Sequence, residues 1–204
     1  MTVEIYGPSF SNFVRSIIIA CEEKGIPYIL KRFDMKSAEH YQHHPFGKFP
    51  WIKHGDFILY ETAAIISYLD GCFPPAALTP NNVQSLALMQ QNNSAISTYI
   101  DQAIIRLYAL EFAFPKGENG QVRMDKVEQV LPRLYKAMDF LNTMLTENRY
   151  ISGGNFTVSD CLLVPMVHYV SVLPHAVDIF EARPALKAYL QRVLERPSVN
   201  KSIS

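Results

Sequence analysis

Residues 46–69 read FGKFPWIKHGDFILYETAAIISYL and predict a β-hairpin that leads into a helix. The dipeptide Gly55-Asp56 separates two short apolar runs, Trp51–His54 and Phe57–Tyr60, which is typical of a tight hairpin turn. From residue 61 to residue 69 the apolar side chains recur at helical spacing. The two strands are expected to be antiparallel neighbours, because so short a turn joins only antiparallel strands.

The chain before this hairpin predicts a second pair of strands with a helix between them. Val3–Tyr6 is a strand candidate, residues 13–24 carry helical spacing up to Gly25, and residues 28–33 form the next strand candidate. Residues 39–44 predict either a short helix or an irregular loop. Because a crossover helix makes the strands it joins parallel, we expect an α/β domain of βαβαββα order with a mixed sheet.

The second half of the chain predicts helices only. Residues 74–83 are rich in proline and asparagine and are typical of a linker. Helical spacing then recurs over residues 83–112, 121–145, 157–173 and 184–195. Pro132 predicts a kink or a break in the second of these helices. We therefore predict an α/β domain over residues 1–73, a linker over residues 74–83 and an all-helical domain over residues 84–204.

The composition excludes several classes of protein. The chain has 204 residues with 19 basic and 19 acidic side chains, and a net charge of zero suits neither nucleic acid nor an anionic membrane surface. No signal peptide is visible, and no uncharged apolar run approaches the roughly 18 to 20 residues of a membrane span. Cys21, Cys72 and Cys161 are widely spaced, which indicates reduced thiols and not disulfides or a zinc cluster. We expect a cytoplasmic protein without a nucleic-acid or membrane partner.

The dipeptide Phe49-Pro50 precedes the third predicted strand, where a proline cannot donate a ladder hydrogen bond. If the bond is cis, which costs only about 0.5–1 kcal/mol before proline, the turn points the backbone N–H and C=O of Phe49 outward. An extended peptide could then pair with Phe49 as a β-strand does. The alternative is an ordinary proline at the edge of a sheet.

Glu61 and Thr62 are predicted in the first turn of the helix that follows the hairpin. The free backbone N–H groups and the helix dipole of such a turn attract a ligand carboxylate. Glu61 could accept from a ligand ammonium while Thr62 donates to the carboxylate, so the pair suits the α-amino-acid end of a ligand. The alternative is that Glu61 complements the dipole and Thr62 caps the helix.

The segment 8–12, Pro-Ser-Phe-Ser-Asn, precedes the first predicted helix. A serine hydroxyl there, with the helix N-terminus behind it, could donate to a bound thiol and favour its thiolate form. The same hydroxyl could simply cap the helix. No cysteine occupies the segment, which excludes a Cys-x-x-Cys redox centre.

Together these motifs resemble those of the cytosolic glutathione S-transferases. The resemblance runs nearly end to end and is carried by residues 46–50 (FGKFP), 59–69 (LYETAAIISYL) and 153–160 (GGNFTVSD). It implies a thioredoxin-like N-terminal domain that binds glutathione, a helical C-terminal domain that completes an electrophile pocket, and a homodimer. Glutathione is then a co-substrate, and no further cofactor is implied. Thr157 and Asp160 would form the capping box of a core helix.

The resemblance also implies how glutathione is held. By the family pattern, Pro50 is the cis-proline and Phe49 pairs through its backbone with the cysteinyl unit of glutathione. Glu61 and Thr62 hold the γ-glutamyl end.

The N-terminal loop is similar to that of the serine-using phi and theta classes and of their bacterial relatives. In the phi-like pattern a Gly is followed four residues later by the catalytic Ser and then by an Arg, and Gly7, Ser11 and Arg15 fit this register. Ser11 is therefore the predicted thiolate stabiliser. Ser9 and Tyr6 are the alternatives.

The run His40, His43 and His44 has spacings of three and four, which would place its imidazoles on one helical face as in some metal sites. No cysteine or HExxH motif accompanies these histidines, and Pro45 would end a helix within the run, so we expect no metal site. Phi-like enzymes place a histidine and a basic side chain near the glycine carboxylate of glutathione. By that resemblance, His40 and Lys48 are candidates for this contact.

The electrophile site is expected to be apolar. Phe10 and Phe13 lie next to the predicted catalytic serine, and the 3.6-residue period places Tyr99 and Arg106 on one face of the long helix that also carries Tyr108. An aromatic cleft between the domains would suit a hydrophobic electrophile. Each of these side chains alone could equally belong to the core or to a dimer interface.

The leading functional prediction is a glutathione transferase that attacks a hydrophobic electrophile with the glutathione thiolate. A glutathione-dependent peroxidase or isomerase would use the same thiolate. A non-catalytic binding or regulatory protein on this fold is the remaining alternative. Such a protein would be expected to lose the serine, the proline or the Glu-Thr pair, and because this sequence keeps all of them the enzyme interpretation is favoured.

Overall fold

A four-stranded mixed sheet forms the centre of the N-terminal domain in the computed structural model, which describes residues 2–74 and 77–203. The strands are β1 (Val3–Tyr6), β2 (Tyr28–Lys31), β3 (Trp51–His54) and β4 (Phe57–Tyr60), in the spatial order β2-β1-β3-β4. β1 and β2 are parallel, whereas β1–β3 and β3–β4 are antiparallel. The predicted mixed sheet is confirmed. Gly55, with a φ of 64°, makes the left-handed turn between β3 and β4.

Three helices complete this domain, namely α1 (Asn12–Lys24), α2 (Ala38–His43) and α3 (Thr62–Cys72). α1 ends at Gly25, whose left-handed conformation turns its N–H back onto the carbonyl groups of the last helical turn. The structure also decides between the two alternatives for residues 39–44. Residues 39–43 belong to a short helix, in which the N–H of His40 donates to the Ser37 hydroxyl, and His44 follows its end.

The C-terminal domain is helical wherever the described residues form regular structure. Its first element is α4 (Val83–Ala95), which continues with π-helical geometry over Ile96–Ile100 and Gln102–Ala109 and ends as α5 (Leu110–Ala113). A 3₁₀ turn (Glu118–Gly120) follows, and then α6 (Met124–Glu147), α7 (Val158–Ser171), α8 (Ala176–Glu181), α9 (Pro184–Leu194) and α10 (Pro197–Ile203). The predicted break at Pro132 is absent, because α6 continues as one helix through this described residue.

The predicted linker precedes α4, and its residues Pro75 and Ala76 lie outside the described residues. So do Met1 and Ser204, the first and last residues of the predicted domains. α4 begins directly after Asn82, whose side chain accepts the N–H of Ser85 at 3.0 Å. Within residues 2–74 and 77–203, every helix is too short or too polar to cross a membrane.

The two domains share α1 as a packing element. On one side α1 contacts α3, and on the other it packs against α7 and α10 of the second domain. α7 is buried along most of its length and starts at the predicted capping box, in which Thr157 and Asp160 bond to each other's backbone N–H groups. The first turn of α1 therefore lies where the two domains meet.

Candidate functional site

Ser11 is the residue that starts α1. Its Oγ accepts the N–H of Val14 at 3.5 Å, so the capping role that the sequence left open is present in the structure. A hydroxyl that accepts one hydrogen bond still has a proton to donate, so capping leaves Ser11 able to donate to a ligand. The unpaired N–H groups of the first turn also direct the positive end of the helix dipole to this point.

The two alternatives to Ser11 are less suited to stabilise a thiolate. The Tyr6 hydroxyl donates to Glu4 Oε2, and burial together with that carboxylate raises the pKa of Tyr6 to about 12. Its proton therefore already has an acceptor. Ser9 is exposed in the loop before α1, away from the capping position, and its C=O accepts the Nε–H of Arg15 at 3.1 Å.

Gly7 brings the loop before α1 into contact with the turn before β3. Its φ of 146° is a conformation that L side chains rarely adopt. A Cβ at this position would lie 2.7 Å from Val14 Cγ2 and 3.1 Å from Phe49 Cβ. Because only glycine fits here, α1 and Phe49 can approach each other closely. The Phe49-Pro50 bond is cis, as the family pattern implied.

Glu61 lies just before α3 and not in its first turn, where the sequence predicted it. It is the residue before the helix, with φ 70° and ψ 110°, and Thr62 is the first helical residue. Within the described residues, the Glu61 side chain makes no capping hydrogen bond and is exposed. A positive φ at a residue other than glycine costs on the order of 1–3 kcal/mol and is found mainly at functional sites. The capping alternative for Thr62 does not apply, since Thr62 follows the cap position.

The structure corrects the assignment of His40 to the glutathione site. His40 is completely buried, its Nδ1 accepts the N–H of Lys36 at 2.9 Å, and its Nε2 donates to the C=O of Lys48 at 2.9 Å. With both ring nitrogens engaged, the imidazole has no donor left for a ligand carboxylate. His40 instead holds the turn that carries Lys48, and its ring stacks on Phe49 at 4.4 Å. The side chain of Lys48 is exposed and stays the candidate for that contact.

Sequence analysis missed a polar contact between the domains, next to Ser11. Asn12 donates through Nδ2 to Asp101 Oδ1 at 3.2 Å, and Arg106 donates through Nε to Asp101 Oδ2 at 2.7 Å. Asn12 and Asp101 are both buried. Burial raises the pKa of Asp101, although Arg106 and Asn12 favour its charged form. Asp101 and Arg106 are five positions apart, a spacing that pairs in π-helical geometry but not in an α-helix.

The side chains predicted to line the electrophile site divide into two groups. Phe10 is exposed, with its ring 6.2 Å from that of Phe114, and the Arg106 guanidinium lies 5.9 Å from the ring of Phe13. These contacts lie beside Ser11 and at the end of the long helix. Tyr108 does not belong to this site, because it is completely buried and its hydroxyl bonds with His175 Nδ1 at 2.9 Å.

The long helix has π-helical geometry around Tyr99, which alters the spacing of its side chains. A 3.6-residue period places Ala103 beside Tyr99, yet Tyr99 is 78% exposed and Ala103 is buried. The π-helical stretch between them turns less per residue than an α-helix, so side chains drift off the expected face. Nothing in the described structure brings Tyr99 to the aromatic pair at Phe10.

A further pair of residues, Arg15 and Tyr169, braces the loop before α1. The Tyr169 hydroxyl donates to the C=O of Phe10, and the Arg15 guanidinium lies 5.1 Å from the centre of the Tyr169 ring. In the sequence, Arg15 is marked only by its fit to the phi-like spacing of Gly7, Ser11 and Arg15. Tyr169 had no sequence signal, since a tyrosine in an apolar helix usually belongs to the core.

The described residues contain no cluster of three His, Cys, Asp or Glu side chains that could hold a metal ion. The three cysteines, all within the described part of the chain, are free thiols. Cys21 and Cys161 are buried, and burial raises the pKa of the Cys21 thiol to about 12. Neither thiol is therefore a nucleophile at neutral pH.

Comparison with known proteins places these features in one family. The model described as glutathione S-transferase, N-terminal domain, matches residues 10–71, and the one described as glutathione S-transferase, C-terminal domain, matches residues 124–192. The chain is 27% identical to probable glutathione S-transferase GSTF1 of Oryza sativa subsp. japonica, over 98% of this chain and 94% of that protein.

Solved structures give the same result. Glutathione transferase F2 from Populus trichocarpa is similar with a TM-score of 0.88 at 23% identity, covering 98% of this chain and 97% of that one. A glutathione S-transferase I bound with lactoylglutathione is similar with a TM-score of 0.87 at 25% identity, again covering 98% and 97%. The fold is therefore shared over essentially the whole length of each chain.

Proposed function

The chain belongs to the glutathione S-transferase family and conjugates glutathione to electrophiles, and we propose that it does so where its two domains meet, with Ser11 stabilising the glutathione thiolate. The observation that carries this proposal is the position of Ser11 at the start of α1, with a hydroxyl proton to donate. Glutathione is the co-substrate, and no other cofactor takes part.

The thiolate is favoured by two groups that act on the same atom. The Ser11 hydroxyl donates to the sulfur, and the first turn of α1 adds the positive end of its dipole. A thiol pKa two units below its free value requires about 3 kcal/mol of differential stabilisation. A charge-assisted hydrogen bond and a helix dipole together supply energies of this order. The sulfur then attacks the electrophile, whose placement beside it lowers the entropic cost of the reaction.

Four residues are proposed to hold the rest of glutathione. The backbone of Phe49, next to the cis-proline Pro50, pairs with the cysteinyl unit as a β-strand does. The Glu61 carboxylate accepts from the α-ammonium group, and Thr62 with the free N–H groups of α3 binds the α-carboxylate. The Glu61 side chain supports this role because, among the described residues, it is exposed and makes no capping hydrogen bond. Lys48 is proposed for the glycine carboxylate.

The test is the absorbance of thiolate in bound glutathione, measured across a pH titration. We expect a thiol pKa well below the free value in the wild type and in the matched control Ser9→Ala. In Ser11→Ala the pKa should return towards the free value and kcat should fall, with a smaller change in glutathione affinity. A wild-type titration curve in Ser11→Ala would remove Ser11 from this role.

We further propose that the enzyme is a homodimer of the cytoplasm that acts in detoxification. The sequence has no Asp, Glu, Lys, Arg or His from residue 71 to residue 100, which includes all of α4. On α4 the apolar side chains of Val83 and Leu88 are nevertheless 80% and 56% exposed. An exposed helix without charge is typical of a surface that a second subunit covers. Free thiols support a reducing compartment.

Sedimentation equilibrium tests the homodimer. Leu88→Glu places a charge on the proposed interface and should shift the protein towards monomer. Val177→Glu, on the exposed side of α8, is the matched control and should leave the mass unchanged. A monomeric wild type at micromolar concentration would contradict the proposal.

A further inference from the structure

Arg15 carries a positive charge beside Ser11 that no acidic side chain balances. Among residues 2–74 and 77–203, the ion pairs involve other arginines and lysines, and none of them includes Arg15. The positive charge of Arg15 affects His168, whose pKa is lowered by burial and lowered further by Arg15. An uncompensated, half-buried cation favours an anionic partner.

The Arg15 guanidinium is fixed so that one edge stays free. Its Nε donates to the C=O of Ser9 at 3.1 Å, and the group lies 5.1 Å from the centre of the Tyr169 ring. No hydrogen bond between described residues uses its two Nη groups. A positioned guanidinium with free Nη donors matches a carboxylate, which accepts from them in bidentate geometry.

One aromatic ring, that of Tyr169, lies next to this cation, and two exposed rings belong to the same region of the site. Phe10 and Phe114 are both more than half exposed, and their ring centres are 6.2 Å apart. The Tyr169 hydroxyl donates to the backbone C=O of Phe10, and the Arg15 guanidinium lies against the ring of the same tyrosine, so Tyr169 contacts both the backbone of Phe10 and Arg15. A ligand at this place would meet apolar rings and one positive charge.

Arg106 provides an internal comparison. It also lies near the start of α1, but its Nε bonds to Asp101 Oδ2 at 2.7 Å, which neutralises its charge. The two arginines beside the site therefore differ in their available charge. Arg15 has the charge to select an anion, whereas Arg106 serves the contact between the domains.

We propose that the enzyme prefers electrophiles that carry a carboxylate on an aromatic or unsaturated group, and that Arg15 binds this carboxylate. The inference rests on the proposed function, because it concerns the second substrate of the same reaction. A suitable probe is 4-chloro-3,5-dinitrobenzoate. The glutathione sulfur forms a bond to ring carbon 4, the C–Cl bond breaks, and chloride leaves with the electron pair. The thiol proton has passed to solvent beforehand.

The experiment compares this probe with its methyl ester, which has the same reacting carbon but no charge. For each, kcat/KM is divided by the rate constant of the uncatalysed reaction with glutathione. We expect the wild type to prefer the acid by on the order of tenfold or more, the factor that a hydrogen-bonded charge contributes. Arg15→Met should abolish this preference, and Arg15→Lys should keep part of it. Arg106→Met, the matched control, should keep the acid-to-ester ratio of the wild type.

A wild-type enzyme that shows no preference for the acid overturns the proposal, whether or not the variants fold. An unchanged ratio in Arg15→Met, or an equal loss of ratio in Arg106→Met, overturns it as well. If neither probe reacts faster with the enzyme than without it while glutathione binds, the proposed transferase reaction fails and this inference fails with it. The two kinds of failure are thus distinguished by the ester alone.

Discussion

Replacing Gly7 with alanine should damage both stability and glutathione binding, because Gly7 is where the first loop meets the turn that carries Phe49. The added Cβ would lie 2.7 Å from Val14 Cγ2 and 3.1 Å from Phe49 Cβ. It would also hold an L residue at a φ of 146°. Neither neighbour is a flexible side-chain end, since one belongs to a buried valine and the other is a β-carbon. The backbone must therefore move.

Two costs add in Gly7→Ala. A residue held in so unfavourable a backbone region costs on the order of 1–3 kcal/mol, and overpacking of this kind typically costs about 1–3 kcal/mol. The expected loss in free energy of unfolding is thus about 2–6 kcal/mol. For a chain of this size each kcal/mol lowers Tm by roughly 2–4 °C, so Tm should fall by at least about 4 °C. The KM for glutathione should rise, because Phe49 is pushed away from the start of α1.

Urea unfolding and thermal unfolding at one fixed protein concentration measure the stability, and initial rates at varied glutathione measure KM. Gly25→Ala is the first control, since it has a φ of 65° but no described atom within 4 Å of the new Cβ, which isolates the backbone cost. Gly154→Ala, which has neither a positive φ nor a close described neighbour, should be close to neutral. If Gly7→Ala loses no more stability than Gly25→Ala, the steric part of the reasoning is refuted.

The other predictions concern separate groups. Glu61→Ala should raise the KM for glutathione with a smaller effect on kcat. Glu61→Gln should recover little of the lost affinity, because the α-ammonium group needs a charged acceptor. Unchanged glutathione binding in Glu61→Ala would exclude Glu61 from the site. His40→Leu should lower the free energy of unfolding by about 1–3 kcal/mol, since it leaves buried hydrogen-bond partners unpaired. The urea midpoint measures this loss. A variant that is as stable as the wild type but no longer binds glutathione would return His40 to the ligand site. A thiol reagent at neutral pH should label Cys72 quickly, because Cys72 is exposed. It should reach Cys21 and Cys161 only on unfolding, because both are buried and burial raises the pKa of Cys21 to about 12. Rapid reaction of all three thiols in the native protein would contradict the burial.

Features encoded within a few residues were predicted well. The hairpin at Gly55-Asp56 and the end of α1 at Gly25 follow from residue types whose backbone preferences are strong. The cis bond before Pro50 was left open by the residues themselves and was implied only by the family resemblance. The order of strands and helices in the first domain follows from periodicity, which needs only neighbouring positions. Glu61 was predicted in the first turn of α3 and is found as the residue directly before that helix.

The errors arose where a residue's role depends on distant parts of the chain. His40 has the side chain of a ligand-binding residue, yet Lys36 and Lys48 use both of its nitrogens. Hydrogen bonds of π-helical type change the period of the long helix, so a 3.6-residue spacing does not decide which of its side chains share a face. No sequence signal announces such a change, since it reflects how the helix packs against its neighbours.

The sequence by itself determined the two kinds of domain and the balanced charge, because these depend on composition and local periodicity. The motifs of the glutathione site were recognised in it by their resemblance to a known family. Only the tertiary structure decided which polar groups are still available to a ligand. Asn12 and Asp101 bond across 89 positions, and Tyr169 reaches Phe10 across 159. A hydrogen bond depends on distance and direction in space, and a local sequence pattern contains neither. That Arg106 has an acidic partner among the described residues while Arg15 has none is likewise known only from the folded structure.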